Sequence, residues 1–194
     1  MKIRPVILCG GAGTRLWPKQ KNHQAKQFID FGDWSLFQKT LERIKSSIFD
    51  YPIISTNLKY LRQVRQSLKK SKVKKYKIVL EPAKKNTAPA ILSSALIRDI
   101  PLNQPLMYFA ADHLIEKSSV LNKSINKNKV NLDNQNLFIF GINPTRPSSE
   151  YGYFLTKKDK NNINKVTRFI EKPKLSKAKQ VIKKKAIGIQ VCFF

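Results

Sequence analysis

Between Val6 and Pro18 the chain reads VILCGGAGTRLWP, an apolar run that breaks at Gly10, Gly11 and Gly13 and continues into Thr14 and Arg15. Glycines at the end of a strand leave no Cβ between the backbone N–H groups and an approaching anion. A helix N-terminus just beyond adds partial positive charge. An arginine fork at that place can grip two phosphate oxygens at once. The letters therefore point to a phosphate loop. Two familiar forms fail: from Gly11 the sequence is G-A-G-T-R-L, without the third glycine of a dinucleotide fingerprint, and no G-K-[ST] closes a P-loop. What stands is G-G-x-G-T-R-L-x-P.

Other reactive side chains fall at the ends of apolar runs. Asp112 and His113 close PLMYFAADH, and Asn86 and Thr87 open NTAPAILSSALIRDI. Lys26 lies in AKQF, and Glu171 and Lys172 end RFIEKP. Asp112 reads either as a ligand for a hard cation or as a cap on the next segment. Asn86 and Thr87 read as helix caps, as ligands, or as both. Glu171-Lys172-Pro173 reads equally as a strand-end turn with a surface ion pair. His113 reads as structural, and Trp17 and Trp34 as packing residues.

The elements that must carry these residues alternate. RPVILC, YPIIST, YKIVL, PLMYFAADH and NLFIFGI have the apolar continuity of buried strands. Between them SLFQKTLERIKSSI, LKYLRQVRQSLKK, NTAPAILSSALIRDI and the stretch from Glu116 to Lys127 have helical spacing, with Pro89 tolerated in a first turn. This order predicts a mostly parallel sheet with helices on both faces. After Pro144, EYGYFLTKK and INKVTRFIEKP read as two strands around a turn, and SKAKQVIKKK as a helix. Gly10 to Arg15 and Ala111 to His113 then share the carboxyl edge of the sheet, where open α/β sheets bind ligands.

Bulk properties bound the rest. A chain of 194 residues with 41% hydrophobic and 10% aromatic residues has the makings of one folded domain. Its two cysteines, Cys9 and Cys192, are too few for a metal cluster and suit a reducing, cytoplasmic setting. There is no signal-peptide pattern and no apolar run long enough to span a bilayer. The net charge of +26 is mostly lysine, in company with abundant asparagine and isoleucine, the trio that an AT-rich coding sequence favours. The lysine-rich stretches lack the interleaved aromatics and arginines of a nucleic-acid-binding surface, so no dedicated nucleic-acid or membrane partner is expected.

At this point the chain resembles the sugar nucleotidyltransferases, and among them the bacterial mannose-1-phosphate guanylyltransferases (GDP-mannose pyrophosphorylases). The glycine loop is one of five motifs in register. AKQF resembles the family's P-K-Q-F, EPAKKNTAPAI its E-P-x-x-R-N-T-A-P-A-I, and FAADHLI its P-A-D-H-x-I; EYGYF with RFIEKP resembles its G-Y-G-Y and F-x-E-K-P. The resemblance implies an α/β, Rossmann-like nucleotide-diphospho-sugar transferase fold. It also implies formation of GDP-mannose and pyrophosphate from GTP and mannose 1-phosphate, with Mg²⁺ as cofactor. By the same resemblance Leu8, Gly10, Gly11, Gly13, Thr14, Arg15, Asn86 and Thr87 contact the nucleotide. Arg15 and Lys26 are the catalytic cations, Asp112 binds the metal, and Gly152, Glu171 and Lys172 meet the sugar phosphate. Another sugar 1-phosphate, or a basic nucleic-acid-binding protein, are the competing readings.

The sequence departs from that pattern at Ala25 for proline, Lys85 for arginine and Glu150 for glycine. At its end AIGIQVCFF stands where the family has a W-N-S-G strand, and one coding of those residues regains W-N-S-G in another frame. The expectation is a frameshift at about Lys185 or Ala186, leaving the N-terminal portion of a nucleotidyltransferase domain. Such a chain would bind GTP weakly and make little or no GDP-mannose.

Overall fold

The computed structural model describes residues 2–11, 25–83, 86–133, 136–158, 163–184 and 186–193, the last five by their backbone path. The chain forms two compact units, Met1–Phe138 with Cys192–Phe194, and Ile139–Val191.

The first unit is built on β1 (Arg4–Cys9), β2 (Ile53–Asn57), β3 (Lys77–Glu81) and β4 (Leu106–Ala110), parallel in the order β3-β2-β1-β4. Val6, Ile7, Ile53 and Ile54 are fully buried, as a strand covered on both faces requires. Their connections are α1 (Leu36–Arg43), α2 (Leu61–Lys70) and α3 (Thr87–Ala95). Right-handed crossovers place α1 and α2 on one face and α3 on the other, because the chain jumps from β3 to the far side of β1. Val6, Ile53, Ile100 and Tyr108 accordingly form one cluster with Leu8, Ile91 and Ile97. Ile7, in register with Phe109, faces the other way, where the Phe109 ring meets Phe49 edge-on at 5.8 Å. α4 (Ser118–Asn128) follows β4, and Cys192 and Phe193 pair antiparallel with Phe109 and Tyr108. Among the described residues no helix is long and apolar enough to cross a membrane.

Two helices stop short of their sequence patterns. α1 starts at a capping box, Ser35 and Gln38 exchanging side-chain bonds to each other's backbone N–H. It ends at Arg43 instead of running to Ile48, because Ile48 and Asp50 are taken into a backbone bridge with Ile3. α3 ends at Ala95 instead of Ile100, and the turn that follows buries Ile100 in the core ahead of Pro101. The strand read from NLFIFGI covers only Ile139–Ile142.

The second unit contains β5 (Ile139–Ile142), β6 (Tyr153–Lys158), β7 (Asn164–Ile170), α5 (Leu175–Lys183) and the start of β8 (Ile187–Phe193). β6 pairs antiparallel with β7 and with β8, and β5 pairs with β8. Tyr153, Ala178, Val181 and Ala186 make its core. The buried Tyr153 hydroxyl accepts from Ser148 N–H and donates to Ser148 O, tying down the turn before β6.

At the amino edge of the first unit, buried Arg4 binds Asp50 at 2.8 Å, the Gln104 amide oxygen and the Tyr51 carbonyl, and lies 3.7 Å from the Tyr51 ring centroid. Burial alone would raise the Asp50 pKa. The Tyr51 N–H, the Gln104 amide and the Arg4 charge outweigh it and hold the carboxyl below its ordinary value. A lowered folded pKa means that the stabilisation is complete above the unfolded value of about 3.9 and is lost as pH falls through the folded value. Asp50→Asn should cost about 1–3 kcal/mol at neutral pH, less than a fully buried pair because Arg4 keeps two acceptors. Urea unfolding should show that deficit at pH 7 shrinking as pH falls below about 4.

Candidate functional site

The strand order reverses between β1 and β4, and ligands of open α/β sheets bind beyond the carboxyl ends of strands at such a reversal. Gly10 and Gly11 leave the end of β1 there, and Asp112 leaves the end of β4. The Ala111 N–H donates to Leu8 O at 3.1 Å, continuing the pairing to the edge. The Leu8 side chain packs in the apolar cluster described above.

Gly10 lies in close approach to a side chain of β3. A Cβ on it would sit 3.1 and 3.2 Å from the two carboxylate oxygens of Glu81, tighter than ordinary contact. Gly11 has open space where its Cβ would be and is exposed, so its backbone is accessible. Glu81 ends β3 and accepts a 2.7 Å hydrogen bond from Ser55 Oγ, while its carbonyl accepts from the Asn57 amide. Glu81 was legible only as a letter of a motif; its place against Gly10 is a product of β-sheet register.

AKQF forms a single 3₁₀ turn, Lys26–Phe28, anchored by Phe28, whose ring lies 5.7 Å from Phe37 and 5.8 Å from Tyr60. Buried Gln27 donates its amide to Cys9 O and Gly11 O at 3.4 and 3.1 Å, so this turn grips the glycine loop. Gln27 is a positioning residue that composition and spacing did not single out. The next residue up, Lys26, lies with its ammonium 3.4 Å from Asp112 Oδ2. Both side chains are about one third exposed, 30% and 37%. Two of the proposed site residues, 86 positions apart in the chain, thus meet at the strand-order reversal.

His113 follows Asp112, with Nε2 4.0 Å from Asp112 Oδ1 and its carbonyl accepting from Arg43 at 3.1 Å. Burial depresses its pKa, with Lys26 and Arg43 acting in the same sense and Asp112 opposing, so the ring is neutral at pH 7. That fits the structural role read from sequence. Trp34 also packs as expected, stacked on Phe31 at 5.3 Å with Lys39 over its ring.

Asn86 holds the N-cap position of α3, yet its side chain makes no cap hydrogen bond. Its φ of 65° and ψ of −162° lie in territory that is nearly glycine-only, away from the extended conformation a side-chain cap needs. The cap reading of Asn86 fails for that reason. Thr87 is the exposed first residue of the helix. Gly13, Thr14 and Arg15, with Trp17 and Lys85, lie outside the described residues.

In the second unit Gly152 and Glu171 come together. A Cβ on Gly152 would meet the Phe169 ring at 2.6 Å and Glu171 Oε2 at 3.0 Å. Lys172, at φ 35°, pairs with Glu171 at 3.2 Å, and both are more than half exposed. The ion pair read from sequence is therefore present, and Glu150 is exposed to solvent.

The model of the family described as nucleotidyl transferase matches residues 4–187. A mannose-1-phosphate guanylyltransferase of Escherichia coli is 36% identical over 189 residues, covering 93% of this chain and 41% of that protein. Alginate biosynthesis protein AlgA of Pseudomonas fluorescens is 33% identical over 184 residues, covering 92% of this chain and 38% of that protein. A solved structure of mannose-1-phosphate geranyltransferase from Thermus thermophilus superposes on the whole chain and on 57% of its own, with a TM-score of 0.85 at 24% identity, a likeness of fold. The chain spans about two fifths of the length of these curated relatives. With the glycine loop, the strand-order reversal and this coverage together, the chain belongs to the nucleotidyl transferase family.

Proposed function

We propose that this chain carries the nucleotide-binding half of a mannose-1-phosphate guanylyltransferase, which joins GTP and mannose 1-phosphate to give GDP-mannose and pyrophosphate. The observation that carries it is the Lys26–Asp112 pair beside Gly10 and Gly11. Nucleotidyl transfer needs little acid–base chemistry; it needs positioning and neutralisation of charge developing on the α-phosphate. The sugar phosphate oxygen attacks the α-phosphorus and the bond to the β-phosphate oxygen breaks, so pyrophosphate leaves with its electron pair. Backbone N–H groups from Gly10 to Thr14 cradle the phosphates, Arg15 grips them bidentately, and Lys26 turns its ammonium from Asp112 to the α-phosphate. Glu171 and Lys172 serve the sugar hydroxyls and phosphate. The backbone strain at Asn86 is of the kind kept at ligand-contacting turns, which supports a nucleotide contact by Asn86 and Thr87. Glu81 supports a guanine base, since a carboxylate accepts from the adjacent N1–H and N2 amino donors that uracil and thymine lack together.

The donors suit Mg²⁺. Asp112 is a carboxylate at the reversal already holding a cationic group, and Mg²⁺ is commonly bound by one or two carboxylates with substrate phosphates completing its shell. Asp112 would hold it, and the ion would neutralise phosphate charge when bound. Its binding requires Lys26 to give up Asp112.

GTP should bind this chain at least tenfold more tightly than ATP, UTP or dTTP by equilibrium titration. In a chain extended to the length of its relatives, pyrophosphate release should require mannose 1-phosphate; a preference for UTP or dTTP would replace the guanylyl reading with another sugar nucleotidyltransferase. In that extended chain Arg15→Lys should lower the rate of pyrophosphate release by about 10²-fold with an unchanged circular dichroism spectrum, because a point charge replaces a fork. Turnover matching the parent chain would remove Arg15 from the chemistry. Asp112→Asn should weaken Mn²⁺ binding about tenfold in the presence of GTP, followed by paramagnetic resonance; unaltered Mn²⁺ affinity would put the metal elsewhere.

A further inference from the structure

The thirty residues from Tyr51 to Leu80 contain nine lysines and arginines and no aspartate or glutamate. Their basic side chains do not spread evenly. Lys75 lies over the Tyr51 ring at 4.3 Å and Lys77 is bonded to Asp99. Arg65, Lys69, Lys72 and Lys74 instead line one solvent-open cavity of about 440 Å³, with Val73 and Tyr76 completing its wall, and all four basic side chains are exposed. None of the four has an ion-pair partner among the described residues.

The end of α2 accounts for part of this charge and no more. A helix C-terminus carries about half a negative charge, which one lysine satisfies. Its last carbonyls are further occupied, Leu68 O by Val73 N–H, Ser67 O by Ser71 N–H and Lys69 O by Lys72 N–H. Four exposed positive charges therefore surround one concavity with only the helix end and no acidic side chain to offset them. Lys72 sits at φ 55°, in the left-handed position after the helix where glycine or asparagine is usual.

The cavity is also remote from the glycine loop. It precedes β3, at the strand's amino end, whereas Gly10 lies against Glu81 at its carboxyl end. The length of β3 alone separates the two by roughly 13 Å.

We propose that this cavity is a second anion site, which binds a compact polyphosphate: either an inorganic polyphosphate or the triphosphate tail of a nucleotide. The volume is within the range of small-molecule sites. Convergence on one concavity, with a single aromatic, favours a compact anion over a nucleic-acid strand, which calls for a track of repeated stacking platforms. The site would let phosphate-bearing metabolites act on the enzyme away from its reaction centre.

The test is amide-resolved NMR of the whole chain in 0.15 M salt without divalent metal, titrated separately with tripolyphosphate, GTP and a 20-nucleotide RNA. Tripolyphosphate should shift the amides of residues 69–76 saturably, and Lys69→Gln with Lys74→Gln should weaken this at least tenfold while leaving the Gly10 and Gly11 shifts unaltered. GTP binding the cavity more tightly than tripolyphosphate would identify a nucleotide as the ligand; equal or weaker binding would identify the inorganic anion. Silence at residues 69–76 up to several millimolar, or RNA binding that falls steeply with salt and exceeds tripolyphosphate, would overturn the proposal. Failure of the guanylyl reading would show at Gly10, Gly11 and Asp112 instead, leaving the cavity signals intact.

Discussion

The carbonyl of Cys9 is the last of β1, and it is held by two side chains, the Thr56 hydroxyl from β2 at 3.1 Å and the Gln27 amide at 3.4 Å. A buried carbonyl at a strand end must find donors, and here the donors fix the point at which the chain leaves the sheet. Gln27 also reaches Gly11 O, so the segment that supplies Lys26 is fastened to the start of the glycine loop. Desolvation drives the Cys9 thiol far above the ordinary thiol range, despite the opposing bonds from Gln27 and Thr56. It is a neutral filler at the pivot, with no part in the chemistry.

From that pivot the site grows by register. Parallel pairing sets Cys9 beside Thr56 and, one strand further, Asn57 beside Glu81. Ser55 then holds the Glu81 carboxylate over Gly10, where an added Cβ would push the carboxylate aside by a few tenths of an ångström. On the other side of β1, pairing of Leu8 with Ala110 brings Asp112 to the same edge and within reach of Lys26. A slip of one residue in either pairing would invert which side chains face the core and dismantle the cluster.

Charge is distributed with similar economy. Of the 12 acidic residues that face 38 basic ones, five pair with a cation among the described residues: Asp50 with buried Arg4, Asp112 with Lys26, Glu42 with Lys39, Asp99 with Lys77 and Glu171 with Lys172. The surplus lysines are mostly solvated, which costs little because exposed charges are screened within about a Debye length. The cavity at the end of α2 is where the surplus converges instead of dispersing.

The sequence by itself determined the alternation of strands and helices, the parallel character of the first unit and the placing of Gly10 and Asp112 on one edge. These follow from periodicity, from glycine at a strand end and from the strand order that short crossovers impose. It also carried the ion pair of Glu171 with Lys172, which adjacent residues can form without tertiary help. Helix ends escaped it, since Ile48 and Ile100 leave their helical patterns for partners distant in the chain. Asn86 looked like a cap because caps are recognised by residue type, whereas its strained backbone is set by the fold around it. Gln27 and Glu81 acquire their roles only when β1, β2 and β3 align, and no local pattern encodes that alignment. The tertiary structure alone decided that Lys26 faces Asp112, because an ion pair 86 residues apart depends on the jump of the chain from β3 across β1 to β4.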